Sequence, residues 1–407
     1  MTGLIVCIEK GFAGKNRLHE GVSLTDSGKE TRERQDWIDL VRFLAMLIVM
    51  MNHVGLSVMG VNFWGGMFYV PVFFVLSGFL WQPGTKPIKT QIKGKAQRLL
   101  LPYLVTNAVL VFVFLVRDFV KADFSQTFFR TFGFLYGRNQ LYTNTQTLFM
   151  TDPADNGNAY FMTALNAPTW FLPALYLTVF ATDLLFVMIC HAHRNAVRNA
   201  VLSDETNAQR VLLFISLLIL AAVIWHYICP VLLPWSLDAL PFFIGFFNLG
   251  YILGRRGGWE YLVKRPWIFA LLLTGLIVGG TVNGSANYSV ADYGVSVMLA
   301  YFNAIAASLL IMYLCYLVRN HIPKALAFVG RQTLFLLCWH YPVLVAVDGI
   351  RERVFSLVGI PLMLCRAAEI VVVMILLSIA GWLLSETGRR KTTTQPKDVK
   401  DQNDEQS

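Results

Sequence analysis

Two ionisable residues, Arg42 and His53, lie in an apolar stretch near the start of the chain. Eleven steps of about 100° along an α-helix add up to three turns plus roughly 20°, so both side chains project from one helix face. At about 1.5 Å per residue they are separated by roughly 16 Å along the axis. That separation is too long for direct contact. It suits two contact points for one elongated ligand, or the two ends of a polar groove.

The chemistry that this pair could do is general-base catalysis, for example of the attack of a hydroxyl on a thioester. A neutral imidazole is available near pH 7, so His53 is a candidate general base for an attacking hydroxyl. For His53 alone, a histidine with its hydrogen bonds satisfied in a protein core is the more common explanation, and the presence of Arg42 on the same face favours function. Asp39 lies three residues before Arg42 and can hold its guanidinium group, or it can act with Asp36 as a helix cap.

Four further ionisable residues fall within apolar stretches, where a charge costs roughly 2.5 kcal/mol or more. Arg366 and Glu369 have the i, i+3 spacing of a helical ion pair, and we expect them to neutralise each other. Asp183 is expected to pair with a cation from a loop. The fourth residue, His340, is a candidate for the site.

Composition indicates which elements hold these residues. Of the 407 residues 56% are hydrophobic, 14% are charged, and the mean hydropathy is +0.53. Such a chain cannot cover a soluble surface, which predicts an all-α bundle of transmembrane helices. The net charge of +9 resides in loops and lacks the aromatic interleaving of a nucleic-acid site, so no nucleic-acid partner is expected. The six cysteines form no CxxC pair, and no metal site is predicted.

The apolar runs predict about ten transmembrane helices, of which the second is interrupted by Pro71 and Gly78. Their approximate spans are 37–59, 63–82, 99–117, 169–190, 211–229, 236–254, 267–283, 294–318, 326–347 and 360–385. Segments on the N-terminal side of the predicted membrane carry 26 of the 34 Lys and Arg residues. By the positive-inside rule, both termini are then cytoplasmic.

Three segments lie outside this bundle. Residues 1–35 and 388–407 are polar and are predicted to be flexible cytoplasmic tails flanking a membrane domain of residues 36–387. The extracytoplasmic loop 118–168 is long enough to be a lid or an acceptor-binding segment, and a tolerated insertion is an equally good interpretation. Within the bundle, the pairs Gly250/Gly254 and Gly275/Gly279 predict close helix packing.

Five motifs follow one another along the predicted helices. In sequence order they are WIDLVRFLAMLIVMMNH (37–53), VPVFFVLSGFLW (70–81), KAQRLLLPYL (95–104), PTWFLPALYL (168–177) and GRQTLFLLCWHYPVL (330–344). The first contains an Arg-x10-His pattern and the second an FFxxSGF segment. This ordered set resembles the acyltransferase-3 family of integral membrane enzymes, whose Ser-Tyr-Leu-His-Pro helix the last motif resembles.

The resemblance implies a ten-helix inner-membrane enzyme. Such enzymes transfer an acyl group, usually acetyl from acetyl-CoA, to an extracytoplasmic acceptor that is usually a sugar hydroxyl. The family's essential Arg and His correspond to Arg42 and His53. Its basic RxxR motif is matched fully at Arg98 and only by a lysine at Lys95.

Ser77 and His340 also fall on matching family positions, without an assigned role. Arg98 and Lys95 could bind the phosphates of coenzyme A, although positive-inside topology explains the same charges equally well. Trp170 is either a platform for a sugar or, as is more common, a member of the interfacial aromatic belt.

Other functions fit part of the pattern. A carrier or exporter of a sugar or lipid also needs many helices with polar residues inside the membrane. A catalytically inactive subunit of an envelope-polymer assembly is a third option, against which the presence of Arg42 and His53 speaks. The predicted partners are acyl-CoA, a carbohydrate or glycolipid acceptor and the bilayer. Neither the acyl chain, the acceptor, an acyl-histidine intermediate nor the oligomeric state follows from the sequence.

Overall fold

A computed structural model describes residues 35–58, 60–82, 88–121, 125–138, 141–142, 166–198, 204–229, 231–255, 258–358 and 361–393. This described part is all-helical and contains no β-strand. Its helices are α1 Asp36–His53, α2 Val61–Gly66, α3 Pro71–Leu80, α4 Ile88–Lys121, α5 Ser125–Tyr136, α6 Phe171–Arg198, α7 Asp204–Ile228, α8 Leu240–Leu253, α9 Gly258–Val263, α10 Pro266–Asn283, α11 Val297–Leu317, α12 Lys324–Arg331, α13 Thr333–Val358 and α14 Leu362–Thr393. A 3₁₀ turn at Ala167–Trp170 precedes α6, and another at Pro234–Ser236 precedes α8.

Each of the ten predicted spans overlaps at least one of these helices. Two spans are divided: 63–82 contains α2 and α3, with Pro71 at the first turn of α3, and 326–347 contains α12 and the start of α13. Among the described residues, five helical segments are long and apolar enough to cross a membrane. The fold class is confirmed as all-helical with five candidate membrane spans among the described residues, whereas the count of ten crossings and the side of each terminus stay predictions.

The first helix, α1, is at the centre of the bundle. It packs against α11, α12 and α13, and most of its apolar residues are buried. Asp36 and Asp39 lie in its first turn, where carboxylates suit the helix dipole. Its C-terminus is a Schellman motif, since Leu56 N–H donates to the Met51 carbonyl at 2.9 Å and Gly55 has φ +65°. This motif ends the helix directly after His53.

Glycines bring α3 and α8 into backbone contact. A Cβ atom added at Gly78 would lie 1.8 Å from the Phe247 carbonyl oxygen, and one at Gly250 would lie 1.8 Å from that of Val75. Gly254 is similarly close to Phe79. The predicted packing role of the Gly250/Gly254 pair is therefore confirmed, since it allows α3 and α8 to approach closely.

The long loop predicted at 118–168 is partly helical. α4 extends to Lys121, and α5 occupies Ser125–Tyr136. Residues 143–165 lie outside the described residues, so the hypothesis of a lid or insertion remains a prediction for that part.

Candidate active site

Two cavities of about 220 Å³ each lie along α1. His53 lines the first, which we name the outer cavity, and Arg42 lines the second, the inner cavity. The two residues thus lie on one helix face, as their spacing predicts, with Arg42 half-buried and His53 exposed.

Aromatic and amide side chains surround His53 in the outer cavity. Asn52, Tyr69, Trp170 and Asn287 all contribute to its lining. The Trp170 ring is buried, at 6% exposure. It therefore does not belong to a lipid-facing aromatic belt, and the alternative interpretation, a platform for a sugar, stays a prediction.

His340 lies beside His53, with 5.4 Å between the ring centroids. It is completely buried on α13, and its Nδ1 is 2.8 Å from the Leu336 carbonyl oxygen. Because a carbonyl only accepts, this contact requires the proton on Nδ1 and leaves Nε2 as an acceptor. Within the described part of the chain, Nε2 has no hydrogen-bond partner. The Tyr341 ring also contacts His53, at 5.0 Å.

In the inner cavity Arg42 is accompanied by Ser77 of α3 and Arg331 of α12. Arg42 donates from Nη1 to Asp39 Oδ1 at 2.7 Å, and Asp39 is 2% exposed. The i, i+3 partnership expected from the sequence is thus present. The buried carboxylate fixes the position of the guanidinium group at the inner cavity.

Three apolar side chains lie between the cavities, because Phe73, Phe171 and Leu337 line both of them. The groove expected along α1 is therefore divided in two by an apolar wall. Leu99, next to Arg98, lines the inner cavity, whereas Arg98 itself is exposed and lines neither.

Lys95 already has a partner within the protein, and its predicted role in donor binding stays a prediction. Its ammonium group forms an ion pair with Asp183 of α6, a carboxylate that also accepts a 3.0 Å hydrogen bond from Trp81 Nε1. Asp183 is 4% exposed, so separating this pair would leave a charge buried in the bundle. The expected pairing of Asp183 with a cation is confirmed, but the cation, Lys95, lies in helix α4 and not in a loop.

The predicted pairing of Arg366 with Glu369 is wrong. Glu369 pairs with Arg351 of α13 at 2.9 Å, while Arg366 donates to the Gly55 carbonyl at 2.7 Å. The i, i+3 rule considers neighbours on one helix only, and here partners on other elements compete successfully. Arg366 thereby attaches the end of α1, two residues beyond His53, to α14.

Sequence reasoning missed Arg138, which lies in the long predicted loop and is completely buried. It forms an ion pair with Asp238 and donates to the carbonyl oxygens of Leu233, Tyr288 and Ser289. Ser289 lines the outer cavity. The only sequence signal was an arginine in an otherwise uncharged run between Arg130 and Asp152, which did not indicate burial.

Comparison with known proteins identifies a family for this chain. The family described as an acyltransferase domain matches residues 35–386, which is most of the chain. Searches of the curated proteins and of the solved structures found no match.

Proposed function

The chain belongs to the acyltransferase-3 family and is a multi-pass membrane protein, and from this we propose that it transfers an acyl group, with acetyl the first candidate, from acyl-CoA to a hydroxyl of an extracytoplasmic sugar or glycan. The observation that carries the proposal is the pair of cavities on one face of α1. One contains a cation suited to a charged donor, and the other contains a base suited to a hydroxyl acceptor.

The donor binds from the inner side. Arg42, held by Asp39, presents a fixed cation in a partly enclosed cavity, where a charge-assisted hydrogen bond is stronger than in water. Ser77 adds a hydroxyl to the same cavity. Exposed Arg98 is the candidate contact for the phosphates of coenzyme A, and Lys95 is omitted because Asp183 already neutralises it.

His53 is the proposed general base. It takes the proton of the acceptor hydroxyl as that oxygen attacks the thioester carbonyl carbon. The carbon–sulfur bond breaks, and the proton returns to the leaving thiolate, giving an acyl ester and free coenzyme A. His340 Nε2 accepts no hydrogen bond from His53 in this structure. With 5.4 Å between the ring centroids, we propose that such a bond forms when the acceptor is bound and presents the other His53 nitrogen to the acceptor.

The acceptor occupies the outer cavity. Sugar rings combine apolar faces with a rim of hydroxyl groups, so they suit a pocket with aromatic walls and a few amides. Trp170 and Tyr69 supply the walls, and Asn52 and Asn287 supply hydrogen-bonding groups. This composition favours a carbohydrate over a purely aliphatic acceptor.

With the N-terminus in the cytoplasm, Arg42 is near the cytoplasmic boundary and His53 is in the outer half of the membrane. The proposed location is a bacterial inner membrane, where the donor is available on one side and envelope glycans on the other. The basic segment Lys86–Arg98 is then cytoplasmic, consistent with the charge bias of the loops.

The test is His53→Gln in the full-length protein, with exposed His321→Gln as the matched control. Envelope glycans and lipids are analysed by mass spectrometry with and without the gene to find a lost acyl mass increment. Loss of a general base is expected to reduce acyl transfer by about 10²–10⁴-fold. Undiminished acylation in well-expressed His53→Gln protein would contradict the assignment.

The same preparation distinguishes the carrier alternative. Purified protein in proteoliposomes receives acetyl-CoA labelled in its acetyl group, and thioester cleavage is followed with and without candidate glycans. An acyltransferase consumes the thioester only in its wild-type and His321→Gln forms. A carrier would bind or move its substrate without cleaving a thioester in any form.

A further inference from the structure

A third cavity, about 580 Å³ in volume, lies between α4, α13 and α14. We name it the inner groove. Its walls are almost entirely apolar, and Arg331 and Gln332 lie at one end. The remaining lining residues are Leu101, Pro102, Val105, Thr106, Leu334, Phe335, Cys338, Trp339 and Leu384.

The inner groove opens towards the bilayer. In the most apolar stretch of α4 only 17% of the residues are buried within the described protein, and in that of α14 only 28%. At the groove itself Leu101, Val105 and Leu384 are 53%, 50% and 62% exposed. In a membrane-spanning chain such apolar faces contact lipid, so hydrocarbon chains are the molecules that meet the opening.

Arg331 adds a charge to one end of this apolar surface. It is exposed, its guanidinium carbon lies 5.8 Å from the Phe328 ring centroid, and no carboxylate pairs with it among the described residues. On the proposed topology, segment 319–331 is cytoplasmic, and an anionic headgroup there gains about 1 kcal/mol per nearby Lys or Arg. A charged end and an apolar body match the two parts of one anionic phospholipid.

We propose that the inner groove binds an anionic phospholipid of the cytoplasmic leaflet, with its phosphate at Arg331 and one acyl chain along α13. The dimensions agree: from Thr333 to Trp339, α13 rises about 9 Å, and one leaflet contributes about half of a hydrocarbon core roughly 30 Å thick. The volume also falls within the ~300–1,000 Å³ typical of ligand sites.

This lipid site adjoins the inner cavity of the proposed donor. Arg331 and Leu334 line both cavities, so a lipid in the inner groove contacts the wall of the compartment that contains Arg42. The proposal concerns binding and does not require the acyltransferase reaction, so it can fail or succeed independently of the proposed function.

The test measures lipid binding to the full-length protein in detergent, using phosphatidylglycerol and phosphatidylcholine with identical acyl chains. Native mass spectrometry reports bound lipid, and thermal unfolding reports stabilisation. Arg331→Gln is compared with Arg319→Gln, an exposed arginine of the preceding loop that does not line the groove. A third variant, Val105→Trp, fills the groove from its rim.

The wild type is expected to bind phosphatidylglycerol more tightly than phosphatidylcholine. Arg331→Gln should weaken phosphatidylglycerol binding about five-fold, which is about 1 kcal/mol at 1.4 kcal/mol per factor of ten. Arg319→Gln should retain the preference, and Val105→Trp should weaken both lipids. Equal losses in the two arginine variants would show general attraction to basic loops and overturn the site, as would unchanged binding in Val105→Trp.

Discussion

Replacing Arg138 by Met should damage the outer cavity without touching either proposed substrate. Arg138 is completely buried and pairs with Asp238, which is 7% exposed. Removing one partner of such a pair costs about 3–5 kcal/mol, because the other charge stays buried without compensation. The carbonyl oxygens of Tyr288 and Ser289 also lose their charged donor.

A double variant separates these two effects. In Arg138→Met/Asp238→Asn the buried charge is absent, while the Asn side chain can still accept the 3.1 Å hydrogen bond from Leu233 N–H. Stability should therefore recover towards that of the wild type. The Tyr288 and Ser289 carbonyls remain without their donor, so binding of the acceptor should stay impaired.

The expected size of that impairment follows from one hydrogen bond. A bond to a charged group contributes about 1.5–3 kcal/mol. If binding of the acceptor must provide the free energy that orders segment 287–289, the KM of the acceptor rises roughly ten- to a hundredfold. The KM of the acyl donor is unchanged. Thermal unfolding and steady-state kinetics measure the two effects. Arg265→Met, which removes one surface hydrogen bond to Tyr261, is the control for loss of an arginine.

Two outcomes would refute this reasoning. A stable single Arg138→Met variant would show that the buried pair with Asp238 contributes little to the fold. An unchanged acceptor KM in the folded double variant would show that Arg138 does not determine the shape of the outer cavity.

Three further variants test other parts of the structure. Arg42→Lys keeps a charge but loses the planar guanidinium group that Asp39 holds. It should therefore raise the KM of acyl-CoA and leave the KM of the acceptor unchanged. Initial rates measured with each substrate varied in turn will test this. Leu337→Trp enlarges one of the side chains between the two cavities. It should reduce kcat while both substrates still bind. Turnover and substrate binding, measured on the same preparation, will test this. Gly78→Ala places a Cβ atom 1.8 Å from the Phe247 carbonyl oxygen and should greatly reduce the yield of folded protein in size-exclusion chromatography. The control is Gly94→Ala, whose Cβ atom would have no neighbour within 4 Å. This control should be neutral or slightly stabilising.

The sequence predicted the helices better than the hydrogen-bond and ion-pair partners of charged side chains. Helical periodicity places Arg42 and His53 on one face, and the structure has them there, because the geometry of an α-helix depends on local bonds alone. The pairing of Arg42 with Asp39 was predictable for the same reason. By contrast, the partners of Arg366 and Lys95 come from elements far away in sequence, and spacing along one helix cannot identify them.

Burial of single polar residues was the other failure. Arg138 and Trp170 both lie where the sequence predicts exposure, at a long loop and at a membrane interface, and both are buried. Arg138 is enclosed by contacts with Leu233 and with segment 288–289, and Trp170 packs against Phe171 and Phe243. That arrangement is a tertiary property without a periodic signature, so only the structure could reveal it.

The apolar wall has a consequence for the proposed reaction. Arg42 and His53 are too far apart to act on the same atoms, and Phe73, Phe171 and Leu337 separate their cavities. A flexible thioester arm that passes these side chains would bring the carbonyl to His53 while its charged part stays near Arg42. The same side chains would keep water away from the thioester when no arm is present, since an apolar constriction is costly to hydrate. The roughly 16 Å between the two residues is therefore the length that the donor arm must span, and truncated donors that bind but cannot reach His53 should inhibit without being consumed.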